Sequence, residues 1–126
     1  MSDVRDDLMY TKTDEWVSVE EGVATIGITD YAQSHLGDIV FVESCEEGQE
    51  IKKEDVLTTV ESVKSASDIY SPLTGEIVEF NADIEEDASI LNKEPYDGGW
   101  ICKIKIANEN ELKELIDSEE YTKSKE

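Results

Sequence analysis

Short runs of apolar residues alternate with polar residues along most of the chain, and turn-forming residues separate the runs. Seven runs have the length and the β-branched composition of strands: EWVSV, VATIGI, DIVFV, VLTTVESV, DIYS, EIVEF and WICKIKI. In VATIGI, Ala24, Ile26 and Ile28 share one face of an extended chain, because successive side chains of a strand point to opposite faces. The continuous apolar run from Ile39 to Val42 is typical of a strand buried on both faces. The pattern predicts a compact all-β core.

Two segments carry helix signals instead. The first is TDYAQSHLG, in which Thr29 or Asp30 can cap the helix and Gly37 suits a left-handed stop. The second is NENELKELIDSEEY, in which Asn108 is a plausible N-cap. Its apolar stripe consists of Leu112, Leu115 and Ile116. We therefore expect one short helix in the middle of the chain and one C-terminal helix, followed by a frayed tail over residues 122–126.

The length and the charge of the chain limit its organisation and its partners. A chain of 126 residues has the size of one domain, so we expect a single domain over residues 1–126. It has 11 Lys and Arg against 32 Asp and Glu, a formal charge of −21. Such a chain repels nucleic-acid phosphate and anionic lipid, so we exclude nucleic acid and membrane as main partners. Without a signal-peptide pattern, we expect a cytoplasmic protein, or a mitochondrial-matrix protein if this is a mature eukaryotic chain.

The cysteines and the acidic clusters predict neither a disulfide framework nor a metal site. The two cysteines lack the neighbouring Cys or His of a metal-ligand motif. Cys102 alternates in phase with the isoleucines that follow it, so we expect a core residue. Cys45 lies in the loop-like SCEEGQE and is expected to be an ordinary exposed thiol whose acidic neighbours oppose thiolate formation. Residues 83–94 have acids at several EF-hand positions, but Ala88 replaces the glycine that a calcium loop needs.

Lys64 is the only basic residue between Glu54 and Asn92, a stretch with ten acidic residues. A strand-like run leads into it, three small residues follow, and a second strand-like run leads out, so we predict that Lys64 lies at the tip of a hairpin with its amine in water. Either the tip presents an amine to another protein, or Lys64 is a charge that keeps an exposed strand tip from pairing. A general-base lysine is not indicated, because Glu61 and Asp68 would favour the protonated amine.

The residues around Lys64 resemble the lipoyl-lysine hairpin of the glycine cleavage H-protein family. The matching positions are Glu61, Ser62, Val63, Lys64 and Ser65, followed by Ser67 and Asp68 through Gly75 and Glu76. Three further blocks match in order: Glu15-Trp16-Val17, Ala24 through Val42, and Leu91 through Trp100. The resemblance covers roughly residues 8–121. It implies a flattened β-sandwich of the hammerhead type, a barrel-sandwich hybrid, with short helices and a C-terminal helix.

The resemblance also implies a function. Lys64 would carry lipoic acid as an amide, and the protein would be a carrier rather than an enzyme. The lipoyl arm would take the aminomethyl group of glycine from a pyridoxal-phosphate glycine decarboxylase (P protein) to a folate-dependent aminomethyltransferase (T protein), and electrons to dihydrolipoyl dehydrogenase (L protein). A lipoate-attachment enzyme would load Lys64. The loaded arm would dock in a cleft formed by Thr13, Glu15 and Asp68.

Two positions depart from the family pattern, and two other functions stay open. Asp14 stands where the family usually has His, next to the expected cleft, and Cys45 stands where it usually has Pro. A biotin carrier is similar in fold, but Val63 and Ser65 stand where its lysine is flanked by Met. The first alternative is a paralogue that relays lipoyl groups to 2-oxoacid dehydrogenases. The second is an unmodified acidic binding module in which Lys64 is only a solubilising charge.

Overall fold

The computed structural model describes residues 3–125, and most of its regular structure is β-strand. The strands are β1 (Met9–Tyr10), β2 (Glu15–Glu20), β3 (Val23–Ile28), β4 (Ile39–Val42), β5 (Glu50–Ile51), β6 (Val56–Ser62), β7 (Ala66–Tyr70), β8 (Gly75–Phe80) and β9 (Cys102–Ile106). The helices are α1 (Asp30–Leu36), α2 (Ala82–Glu86), α3 (Ile90–Lys93), a 3-10 helix (Glu109–Glu114) and α4 (Ser118–Ser124). All seven runs that the sequence predicts as strands contribute strands. β1 and β5 were not predicted, because two residues are too few to show an alternating pattern.

The strands form two antiparallel sheets. The larger sheet has the order β1-β2-β3-β9-β8-β5, and the smaller has the order β4-β6-β7. One cluster of buried side chains takes residues from both sheets, among them Ile26 and Ile104 from the larger and Val60 and Ile69 from the smaller. The architecture is therefore a sandwich of two sheets around a shared core, without a closed barrel, as predicted.

Two expectations about burial are wrong. Val40 and Phe41 are 60% and 50% exposed, although the apolar run predicted a strand buried on both faces. β4 is an edge strand whose pairing with β6 is irregular between Ile39 and Phe41, so only its two ends face the core. Cys45 is half-buried and packs against the main core cluster, because the segment that follows β4 folds back over the sandwich. Cys102 is buried, as predicted.

The first helix has the predicted boundaries. Thr29 caps it, since the Thr29 hydroxyl accepts a hydrogen bond from the Ala32 amide, and Gly37 ends it with φ at 79°. α2 and α3 lie in the segment considered for calcium, where the sequence predicted no helix. α2 begins at a cap formed by Asn81, whose side chain accepts from the Asp83 amide.

The C-terminal segment differs from the prediction of one helix with a frayed tail. The 3-10 helix ends at Glu114, and Ile116 pairs with Tyr10 through two backbone hydrogen bonds of 2.8 and 2.9 Å. Asp117 then caps a separate helix, α4, that continues to Ser124. The predicted apolar stripe identifies the buried side of this segment correctly. The pairing of Ile116 with Tyr10 of β1, however, extends the backbone there and interrupts the helix. Residues 122–124 are helical rather than frayed, and Glu126 lies outside the described residues.

The β8–β9 pairing leaves no room for a side chain at Gly75. A Cβ there would overlap the carbonyl oxygen of Lys105 and lie 2.6 Å from the Ile104 side chain. We expect Gly75→Ala to lower the free energy of unfolding by about 2 kcal/mol in urea denaturation, because an overpacked core forces the strands apart. Gly48→Asn is the control, since Gly48 has φ at 91°, a Cβ there would have no atom within 4 Å, and Asn tolerates this backbone. Equal losses for the two variants would contradict the packing argument.

Candidate functional site

Lys64 lies at the tip of the hairpin that β6 and β7 form. The tip is tightly hydrogen-bonded: the Ser62 amide donates to the Ser65 carbonyl at 2.8 Å, and the Ser62 hydroxyl accepts from the amides of Lys64 and Ser65, each at 3.2 Å. The Val63 amide donates to the Asp38 carbonyl at 3.0 Å, which ties the tip to the segment after α1. The backbone that presents Lys64 is thus held from both sides.

The Lys64 side chain is exposed, and its amine is available. Within residues 3–125, no carboxylate lies within ion-pair distance of Lys64 Nζ. Its methylenes pass over Gly37, where a Cβ would lie 3.2 Å from Lys64 Cε. Val63 beside it is 68% exposed. Lys64 therefore projects from a surface that lets another protein reach its amine.

A cavity of about 550 Å³ lies at the other end of β7, where four turns meet. The turns that follow β1, β5, β7 and the 3-10 helix, with the adjoining ends of β2, β7 and that helix, contribute its lining residues. They are Thr11, Lys12, Thr13, Glu15, Lys53, Glu54, Tyr70, Ser71, Pro72, Glu114, Leu115 and Ile116. β7 leads directly from the tip to this cavity. Its five residues from Ala66 to Tyr70 span about 13 Å at the usual rise of a strand.

Glu15 is a buried acid in the wall of the cavity. The residue is only 1% exposed, and its Oε1 accepts hydrogen bonds from the hydroxyls of Thr11 and Thr13, both at 2.6 Å. Burial raises the pKa of the Glu15 carboxyl, and the bonds from the two threonines counteract part of that effect. The site therefore holds a poorly hydrated carboxylate that a cation entering the cavity would stabilise.

The structure brings together two of the three residues predicted for the cleft. Thr13 and Glu15 line the same wall. Asp68 does not line the cavity. It lies on the exposed face of the smaller sheet, where its carboxylate accepts a hydrogen bond from the Thr59 hydroxyl at 3.1 Å, two residues before Tyr70. Asp68 is thus placed between Lys64 and the cavity rather than inside it.

Comparison with known proteins decides the family. Residues 8–126 match the family model described as glycine cleavage H-protein. The chain belongs to this family. The glycine cleavage system H protein of Thermotoga maritima is 49% identical over 112 residues, which cover 89% of this chain and 90% of the relative. A probable glycine cleavage system H protein of Thermoplasma volcanium is 51% identical over 123 residues, 98% of each chain.

Solved structures give the same result. The crystal structure of a glycine cleavage system H protein from Mycobacterium marinum superposes with a TM-score of 0.88 at 30% sequence identity, and covers 97% of this chain and 98% of that one. The predicted hammerhead sandwich is therefore confirmed. Membership of the H-protein family supports the predicted carrier role in glycine cleavage. No helix among residues 3–125 has the length and apolar character needed to cross a membrane.

The sequence did not predict the other residues that line the cavity. Thr11 had a usable signal, because Thr11, Thr13 and Glu15 follow one another at a spacing of two residues, which places side chains on one face of an extended chain. Lys53 and Glu114 had none: they form an ion pair of 2.9 Å at the rim, but they come from distant parts of the chain. Only the packing of the 3-10 helix against the turn after β5 brings them together.

Asp14, where the H-protein family usually has His, is bound to the C-terminal helix. Its backbone has φ at 76°, and its Oδ1 accepts from the Tyr121 hydroxyl at 2.8 Å and from Lys125 Nζ at 2.7 Å. The Tyr121 hydroxyl also shares a hydrogen bond of 2.7 Å with Thr29. We call Asp14, Tyr121 and Lys125 the C-terminal clasp. The clasp balances the charge of Asp14 and fixes the turn that carries Thr13 and Glu15.

The raised pKa of Glu15 predicts a pH-dependent effect of Glu15→Gln. A carboxyl whose pKa is raised by folding makes the folded state less stable as the pH rises from the unfolded value, about pH 4, through the folded value. Glu15→Gln has no charge to bury, so the variant does not lose this stability as the pH rises. We expect the melting temperature of Glu15→Gln to match the wild type below about pH 4 and to exceed it by roughly 4 °C near neutral pH.

Glu20→Gln is the matched control, because Glu20 lies at the exposed end of the same strand. Thermal denaturation followed by circular dichroism between acid and neutral pH measures all three proteins. A Glu15→Gln effect that does not change with pH, or that equals the effect of Glu20→Gln, would contradict the buried-charge argument.

Proposed function

We propose that this chain carries lipoic acid as an amide on Lys64 and shuttles the aminomethyl group of glycine between enzymes of the glycine cleavage system. One observation carries the proposal: an accessible lysine amine lies at the tip of a fixed hairpin whose second strand leads to a cavity with a buried carboxylate. The residues present fit the lipoyl group. The amine is exposed, it has no ion pair to lose within the described residues, and the cavity has room for a ligand.

The hairpin serves two steps. Its tip offers the Lys64 amine to an attachment enzyme, which converts the ammonium to a neutral amide. When bound, the lipoyl group supplies a dithiolane that accepts the aminomethyl group and later returns electrons. The hydrogen bonds of Ser62 hold the base of the arm in place. Because the fixed base of the arm confines its free end to the space around the tip, the effective concentration of that free end at a docked partner's active site is high.

The cavity protects the loaded arm in this proposal. β7 is the edge strand of the smaller sheet, so the arm can lie beside it between the tip and the cavity. The aminomethyl group carries an ammonium, and Glu15 would pair with it by a charge-assisted hydrogen bond. Thr11 and Thr13 keep the carboxylate oriented through their bonds to Oε1. The residues that line the cavity would exclude water from an arm docked there.

The protein is in this proposal a substrate of other enzymes rather than an enzyme. Its partners are the P, T and L proteins and the lipoate-attachment enzyme. The acidic surface, with a formal charge of −21, suits partners with basic rims around their active sites. The two relatives named above come from a bacterium and an archaeon, which supports a cytoplasmic location over the mitochondrial matrix.

Lipoylation can be tested directly by intact mass. After co-expression with lipoate and a lipoate ligase, we expect a lipoyl-sized increment in the wild type, none in Lys64→Arg, and the full increment in Lys123→Arg, a matched change at an exposed lysine of α4. A folded wild-type protein without the increment would support the unmodified binding module instead. If the loaded protein fails to support bicarbonate exchange into glycine by its decarboxylase, the lipoyl-relay paralogue is favoured.

The protective role of the cavity predicts a specific loss in Glu15→Gln. Once the arm is loaded with the aminomethyl group, we expect this variant to release ammonia and formaldehyde about tenfold faster than the wild type, since it loses a charge-assisted bond. Glu20→Gln should release them at the wild-type rate. Asp68→Asn should have a smaller effect than Glu15→Gln, because Asp68 lies outside the cavity. Equal release by all four proteins would overturn the assignment of Glu15.

A further inference from the structure

The side chain of Asn92 joins α3 to the segment between α1 and β4. Asn92 is half-buried, and it makes three hydrogen bonds of 2.9 Å. Its Nδ2 donates to the Gly37 carbonyl and to the Gln33 side chain. Its Oδ1 accepts from the amide of Ile39, the first residue of β4. We call Gly37, Asp38 and Ile39 the platform, and Asn92 binds it at both ends.

These bonds require a side chain that donates and accepts at once. A backbone carbonyl only accepts and a backbone N–H only donates, so a group that binds both Gly37 and Ile39 needs both capacities. The amide of Asn92 has them. An ionised aspartate has the same shape but only accepts, so Asn92→Asp keeps the bond from Ile39 and loses the bonds to Gly37 and Gln33.

The platform supports Lys64 in two ways. Asp38 lies between the two platform residues that Asn92 binds, and its carbonyl accepts from the amide of Val63, the neighbour of Lys64, at 3.0 Å. The Lys64 side chain passes over Gly37, where a Cβ would lie 3.2 Å from Lys64 Cε. Through the platform, Asn92 therefore fixes both the backbone beside Lys64 and the surface beneath its side chain.

The sheet alone holds the platform weakly. β4 is an edge strand, and its register with β6 shifts directly after the pair of Ile39 and Ser62. Asp38 precedes the strand, and Gly37 has φ at 79°, a conformation that glycine enters and leaves easily. Without the bonds of Asn92, we expect this segment to open locally and the Lys64 tip to lose a fixed support.

We propose that Asn92 is a positioning residue for lipoylation, which holds the platform so that the attachment enzyme meets Lys64 in an ordered tip. The inference rests on the proposed function, because it assumes that another enzyme modifies Lys64. Order that exists before binding reduces the entropy lost on association, so its absence weakens binding. An effect on binding raises KM and leaves kcat unchanged.

The test compares Asn92→Asp with Asn81→Asp, a matched change elsewhere in the fold. Asn81 also makes three side-chain hydrogen bonds. Its Nδ2 donates to the carbonyls of Gly98 and Trp100 at 2.9 and 2.7 Å, and its Oδ1 accepts from the Asp83 amide at 3.1 Å. Each substitution keeps one accepted bond and loses two donated bonds, and the partners of Asn81 belong to neither the platform nor the tip.

Steady-state lipoylation of the full chain by a lipoate ligase, supplied with lipoate and ATP, measures kcat and KM. For Asn92→Asp we expect a KM about tenfold above the wild type with kcat nearly unchanged. Asn92→Ala, which introduces no charge, should give the same rise. For Asn81→Asp both constants should stay close to the wild type, although this variant also loses two hydrogen bonds.

Amide hydrogen exchange of the unmodified protein, followed by NMR, is a second measurement that needs no enzyme. The Val63 amide should exchange about tenfold faster in Asn92→Asp, since its acceptor belongs to the platform. The Ser62 amide should keep its rate, because it donates to Ser65 within the hairpin.

Equal KM values for Asn92→Asp and Asn81→Asp would overturn the positioning role and leave the proposed function intact. A loss confined to kcat would overturn it as well, and so would an unchanged exchange rate of the Val63 amide. A folded wild type that accepts no lipoyl group would instead overturn the proposed function, and this inference with it.

Discussion

The packing of two sheets around one core determines the position of every feature of the site. β7 belongs to the smaller sheet, and the turn with Glu15 belongs to the larger, so the cavity between them exists only while the inner faces stay in contact. That contact is made by alternate residues of the strands, such as Ile26 and Val60. Because close-packed protein interiors transmit small displacements, a shift of either sheet would change the distance from Lys64 to Glu15.

Local patterns in the sequence predicted much of this structure, because alternation, caps and turns depend on near neighbours. They predicted the major strands, the first helix and the exposed hairpin tip with Lys64. They failed where distant contacts overrode local preference. The backbone bridge between Ile116 and Tyr10 split the expected C-terminal helix, and the edge position of β4 exposed Phe41.

The candidate site also combines residues that the sequence alone reveals with residues that only the fold brings together. Lys64 stands out in the sequence because its neighbours are acidic, and a single basic residue in such a stretch is visible without a fold. Glu15 does not stand out by composition, since it is one of 32 acids, and its position came from the family resemblance. Its burial, the hydroxyls that bind it and the ion pair of Lys53 with Glu114 depend on the meeting of separate turns.

Two of the turns that shape the cavity have a backbone conformation that ordinary residues avoid. Asp14 and Glu54 have φ at 76° and 75°, in the left-handed region that favours glycine. This conformation destabilises the folded state, and contacts elsewhere must offset the cost. At Asp14 the clasp offsets it, and at Glu54 the hydrogen bond from the Glu54 amide to the Ser71 carbonyl does so. A glycine at either position would relieve this strain and widen the range of shapes the wall adopts. At Asp14 a glycine would also remove both bonds of the clasp, so stability and retention of the arm are opposed only at the turn with Glu54.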